Sequence, residues 1–163
     1  MRAVSGRHSG DMSASAPLHD IEDRADCERL VRAFYRRAMD DPMIGYLFVD
    51  VAKLDLEAHV PVIASFWETI LLGGTSYRGG AFRPHADLHA RSPLRAGHFE
   101  RWLTLWRATV DETFAGQRAE LAKAHAERVA RAFHRRLHGL PEPADAPAPL
   151  PLPLTLHGPP GRG

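Results

Sequence analysis

The sequence predicts an all-α fold. Apolar residues recur at helical spacing in four long stretches, no run alternates apolar and polar over a strand length, and Asp-Pro and Gly-Gly pairs separate the stretches. In the first stretch Cys27, Leu30, Val31, Phe34, Tyr35 and Ala38 lie on one helical face. Asp40-Asp41-Pro42 ends it, because the residue before proline avoids helical backbone. A short apolar turn, MIGYLF, follows at 43–48. Asp55 is placed to cap a second helix with the face His59, Ile63, Phe66, Trp67 and Ile70, and Gly73-Gly74 stops it. Residues 73–84 read as irregular. A third helix carries His98, Phe99, Trp102, Leu103, Trp106 and Val110. A fourth carries Leu121, His125, Val129, Phe133 and Leu137. Antiparallel pairing would bring these faces together.

Pro61 complicates the second helix. If the helix starts at Asp55, Pro61 brings no N–H to Glu57 and the helix kinks. If it starts nearer Ala58, Pro61 sits in the first turn and His59 at a frayed end. Either way His59 is free to point outward.

The chain has 163 residues, which suits one domain. With 21 basic and 20 acidic side chains the net charge is +1, so no electrostatic case exists for nucleic acid or an acidic membrane. No stretch reaches the ~20 apolar residues of a membrane helix, and the first twenty residues hold no apolar secretory core. Cys27, the single cysteine, excludes an internal disulfide and four-cysteine metal sites and fits a cytoplasmic location. Residues 1–19 read as a disordered leader and 20–138 as the domain. Residues 139–163 hold eight of the thirteen prolines and read as a disordered tail of polyproline character.

Motifs narrow the chemistry by exclusion. The glycine-rich stretch matches neither the dinucleotide nor the phosphate-loop pattern, and no G-x-S-x-G or H-E-x-x-H occurs. Ten histidines are many for this length. His85 and His89 share a helical face at metal-pair spacing, without an accompanying base or third ligand. Tyr35, His59 and Trp102 are hydrogen-bonding side chains on the apolar stripes of three different helices. Each alone reads as a core or helix-end residue; converging, they would need a polar partner such as a bound diatomic or water.

These residues resemble a family. Phe34-Tyr35 followed by D-P-x-I-G-x-x-F at 41–48 is similar to truncated haemoglobins. H-x-x-x-I-x-x-F-W-x-x-x-L-L-G at 59–73, Y-x-G at 77–79, H-x-x-L at 85–88 and HFERWL at 98–103 resemble the third group of that family. The resemblance spans about residues 20–138. It implies a truncated globin, a two-over-two helical sandwich around haem b that binds oxygen, nitric oxide and carbon monoxide. It implies His85 as the proximal iron ligand, with His89 one turn away as the rival; H-A-D-L repeats the family's H-x-x-L at His85. It makes Tyr35 and Trp102 the distal donors to bound ligand, with His59 secondary. Phe34, Phe48, Ile63, Phe66, Trp67, Phe82, Leu88 and Phe99 would line the haem pocket.

The residue types suit that role. Imidazole binds haem iron through one nitrogen. A phenol O–H and an indole N–H can stabilise charge on a bound diatomic in a dry pocket. Cys27 could ligate iron as thiolate but fits a small buried residue better. No flavin or nicotinamide motif is present, so any dioxygenase or peroxidase-like turnover needs an external, unknown reductase. Two other classes compete: a cofactor-free helical interaction module with a proline-rich tail, and a metal-dependent hydrolase built on the histidines.

Overall fold

The computed structural model describes residues 16–144, so the expected leader and tail lie mostly outside the described residues. Five α-helices follow one another: α1 (Arg24–Met39), α2 (Leu56–Leu72), α3 (Phe82–Arg91), α4 (Ala96–Thr113) and α5 (Gln117–Leu137). A single π-helical turn, Leu47–Val51, lies between α1 and α2. Among the described residues there is no strand. α1 packs on α2 and α4 on α5; the pairs then cross, α1 on α4 and α2 on α5. That is a two-over-two sandwich. The shorter α3 stands at its side, touching α5 and the π-turn.

The helix ends are set by local chemistry. Asp23 caps α1 by accepting the Asp26 N–H at 2.9 Å, and Asp55 caps α2 through the Ala58 N–H at 3.3 Å. α1 stops at Asp40, ahead of Pro42. Gly73 closes α2 in the left-handed region. α5 is capped from a distance. The Asp20 carboxylate accepts the N–H groups of Arg118 and Ala119 at 2.9 Å each. Gly116, with φ 143°, lies where any side chain would meet that carboxylate. His19 packs on Phe114, ring centroids 5.6 Å apart.

The core is centred on Phe34, Leu30, Val31, Trp106, Val110 and Phe114. Buried polar ties hold the layers in register. The Asp41 carboxylate takes two N–H bonds from Arg101 of α4, at 2.9 and 2.6 Å, and two from its own turn, which holds its carboxyl below the usual carboxylate range. Arg24 of α1 binds Glu68, Ser65 and the Pro61 carbonyl of α2.

One open alternative is decided and two expectations are corrected. α2 starts at Leu56 and keeps Pro61 inside it. The buried residue in its first turns is Val60, while His59 is exposed. On α5 the inner face keeps His125 and Phe133 of the expected stripe but not Leu121. Leu121 is 37% exposed, and Ala119, Ala122, Ala126 and Ala130 are buried instead. Small side chains let α5 lie close on α4, where the Trp106 indole N–H reaches the Ala122 carbonyl at 3.2 Å. Finally, the stretch expected to be irregular to residue 84 becomes helical at Phe82.

Candidate functional site

The side of the sandwich facing α3 differs from the core. α3 has no fully buried residue, yet Phe82, His85 and Leu88 are all half-buried. Phe82 and His85 both meet Phe133 of α5, with ring centroids 5.4 and 4.8 Å apart. The Arg136 guanidinium caps the other side of Phe82 at 3.9 Å.

His85 is held in one tautomer. Its Nδ1 lies 2.7 Å from the Ala81 carbonyl, which can only accept, so Nδ1 carries the proton. Burial lowers the pKa, and the Ala81 bond opposes that. A neutral ring then leaves the Nε2 lone pair free of any hydrogen bond among the described residues. His89 is the reverse case. Its Nδ1 accepts the Leu94 N–H at 2.9 Å, so its lone pair is spent and Nε2 holds the proton. It packs at 5.1 Å against His138, which donates from Nε2 to the Leu94 carbonyl at 2.6 Å.

A second group lies on α1, α4 and the π-turn. Phe34 is fully buried and touches both Tyr35 and Trp102 edge-on, at 5.1 and 5.5 Å. Tyr35 also meets Phe48 at 5.7 Å. The structure thus brings Tyr35 and Trp102 against one buried phenyl ring, with Phe48 on the Tyr35 ring. Burial pushes the Tyr35 phenol up to about 12, so it stays a donor at neutral pH. Neither the Tyr35 hydroxyl nor the Trp102 indole N–H has a hydrogen-bond partner among the described residues. Trp106 stacks parallel to Trp102 at 5.7 Å, but its own N–H is taken by Ala122. His59 lies apart from this group's ring contacts. Its ring donates from Nδ1 to the Asp55 carbonyl at 2.9 Å on the exposed first turn of α2.

The expected lining residues divide. Phe48, Ile63, Phe82, Leu88 and Phe99 are half-buried and pack against the core. Phe34, Phe66 and Trp67 belong to the core itself, and Trp67 stacks on Trp106 at 4.5 Å.

No family model and no curated protein matches the chain's sequence. The architecture does find a counterpart: the crystal structure of the group III truncated hemoglobin from Campylobacter jejuni. The two superpose with a TM-score of 0.65 at 22% identity, over 74% of this chain and 95% of the other. The chain has the truncated-globin fold. Among the described residues, no group of three or more His, Cys, Asp or Glu side chains could hold a bare metal ion. Cys27 offers no ligand either, since burial raises its thiol to about 11. Among the described residues no helix is long and apolar enough to cross a membrane.

Two residues of this region escape a reading by type and spacing alone. Phe133 sits on the expected α5 stripe as a core residue, but it is also the ring against which His85 rests. Tyr77 accepts the Ala81 N–H at 2.9 Å. Only the Y-x-G pattern marks it in the sequence, and spacing does not reveal which backbone group a loop tyrosine will meet.

Proposed function

We propose that this chain binds haem b through His85 and holds diatomic gases, oxygen, nitric oxide and carbon monoxide, at its iron. The observation that carries the proposal is the His85 ring. Its Nδ1–H is fixed on the Ala81 carbonyl, and Nε2 is left with a lone pair among half-buried apolar side chains. The same geometry favours His85 over His89, whose lone pair is engaged by Leu94. A planar macrocycle suits the half-buried Phe48, Ile63, Phe82, Leu88 and Phe99, which gain burial on binding it.

Haem supplies a ferrous iron that takes a diatomic ligand and exchanges electrons. The chain's own residues do the rest. The Ala81 carbonyl orients the imidazole. The Tyr35 hydroxyl and the Trp102 indole N–H are donors without protein partners, placed to hydrogen-bond a ligand that gathers negative charge. Phe34 packs against both donor rings and Phe48 against Tyr35; with a macrocycle bound, the remaining water is shut out and the donors' bonds are strengthened. Any dioxygenase or peroxidase-like turnover draws electrons from an external reductase. The lone, buried thiol of Cys27 fits a reducing compartment such as the cytoplasm.

The test is hemin titration of the full chain, then dithionite reduction and spectra under oxygen and carbon monoxide. One equivalent of hemin is expected to give a sharp Soret band that shifts with each gas. A free-hemin spectrum throughout would overturn the proposal.

A further inference from the structure

We propose that Tyr77 is a positioning residue for His85, fixing the ring through the residue between them. The inference builds on the haem reading of His85 but is written so that it can fail separately.

The connection runs through Ala81, the residue at which α3 begins. Alanine has no side chain to cap a helix, and none does so here. Instead the Ala81 N–H donates to the Tyr77 hydroxyl at 2.9 Å, while the Ala81 carbonyl accepts from His85 Nδ1 at 2.7 Å. Both polar groups of one residue are thus bound, one to each ring. Tyr77 is itself anchored. Its ring is half-buried and meets Phe66 of α2 edge-on at 5.3 Å, and Phe66 packs on Trp67 in the core at 5.2 Å.

The backbone between the two rings is shaped for this contact. Gly79 and Gly80 have φ of 84° and 87°, left-handed values that strain other residues. A Cβ on Gly80 would meet nothing within 4 Å, so the requirement there is conformational and not one of space. The double left-handed step turns the chain back within four residues, so that the Tyr77 hydroxyl meets the N–H of Ala81.

The consequence is mechanical. Among the described residues α3 packs only on α5 and the π-turn, so nothing in those contacts ties its first turn to α2. Tyr77 supplies that tie. Without its oxygen the Gly80–Ala81 peptide is released, the Ala81 φ and ψ relax, the carbonyl of the following Ala81–Phe82 peptide leaves the His85 Nδ1–H, and the ring is no longer held with Nε2 as the free nitrogen. Tyr77 acts through His85 and touches no ligand.

The experiment is Tyr77→Phe in the full chain, which removes one oxygen and keeps the ring on Phe66. In the haem-free protein, long-range proton–nitrogen spectra of the His85 ring should show the Nδ1–H tautomer alone in the parent and a second tautomer in the variant. Loaded with hemin and reduced, the variant should show a shifted, broadened iron–histidine stretching band. Haem transfer to a scavenging apoglobin should run about fivefold faster, the weight of one hydrogen bond. Tyr46→Phe, which loses an exposed hydroxyl bound to His98, should change none of these. Unchanged ring signals and an unchanged band in Tyr77→Phe would reduce Tyr77 to a cap of α3 and overturn the proposal. A freed tautomer together with hemin binding that survives His85→Ala would leave the positioning intact and sink the haem reading instead. Should Tyr77→Phe fold poorly, Phe66→Leu keeps the hydroxyl but loosens its seat. A smaller tautomer shift in the same direction is expected, and none would count against the proposal.

Discussion

The four-helix core and the α3 side of this molecule follow different rules. In the core, Phe34, Trp106, Val110 and Phe114 are sealed from solvent, and the polar atoms among them are satisfied. Trp106 donates to Ala122, and the Thr109 hydroxyl donates to Leu105 at 2.7 Å. On the α3 side the large apolar residues stop half-way to burial and His85 Nε2 makes no bond, and on α1 and α4 Tyr35 Oη and Trp102 Nε1 make none within the described chain either. A core that completes itself contributes stability. A face whose apolar area and polar groups are both left over is built for something else to complete.

The largest effect is expected where that contrast is sharpest. His85→Ala removes the one imidazole with a free lone pair, and the variant should leave gel filtration without haem after hemin loading. His89→Ala breaks only the bond to Leu94 and should retain it, read as Soret absorbance per protein. Retention by the first and loss by the second would put the iron one helical turn further along α3.

The two regions should also separate in stability. Trp106→Ala opens a cavity between two stacked indoles; a cost of ~3–5 kcal/mol is expected in urea unfolding of the haem-free protein. Leu88→Ala, half-exposed on α3, should cost less than about 1.5 kcal/mol there. With hemin present the Leu88 variant should lose ground against the parent, because its contact would be made to the ligand. Equal costs with and without hemin would mean that Leu88 packs only on protein.

How much of this was legible beforehand depends on which force placed each residue. Packing at helical period marked Cys27, Leu30, Phe34, Trp102 and Trp106, because a sequence stripe and a buried face are the same thing when side chains are large. On α5 it marked His125 and Phe133 but missed Ala119, Ala122, Ala126 and Ala130, because alanine carries little hydrophobic signal. It failed at His59 too. A histidine one residue before Val60 looks like part of a stripe, but the cap at Asp55 sets the helix phase and turns it outward. α3 was obscured by the glycines before it, and the tie from Tyr77 to Ala81 is a loop hydrogen bond with no period at all. The two-over-two fold was legible from the family resemblance. The tautomers that distinguish His85 from His89 are set by backbone partners and needed coordinates.

A further test bears on the unpartnered donors. Tyr35→Phe and Trp102→Phe each remove one hydrogen bond to a partly charged ligand, ~1.5–3 kcal/mol, or roughly ten- to a hundredfold faster oxygen release in stopped-flow. Carbon monoxide release should change less. His59→Leu, exposed and bound to Asp55, should change neither. If only His59→Leu speeds oxygen release, the distal role belongs to the α2 turn and not to the pair around Phe34.

The smallest effect concerns the one place where the core breaks its own rule. His125 of α5 is 2% exposed, packed against Phe66 and Trp67, and neither ring nitrogen has a partner. Burial, helped by the nearby Arg128 charge, lowers its pKa from 6.5 to about 4. The unfolded chain therefore binds a proton between those values that the folded chain refuses. Stability is unaffected by this group above about pH 6.5 and falls as pH drops towards 4, on the order of 1 kcal/mol once solvent screening is allowed for. His125→Leu removes both the orphaned nitrogens and the titration. It should raise stability at neutral pH by about 1 kcal/mol and flatten the decline from pH 6.5 to 4 in denaturant unfolding. A variant that is less stable at neutral pH and keeps the parent's acid slope would show that His125 has a partner in solution. The core would then have no exception, and the contrast with the α3 side would be complete.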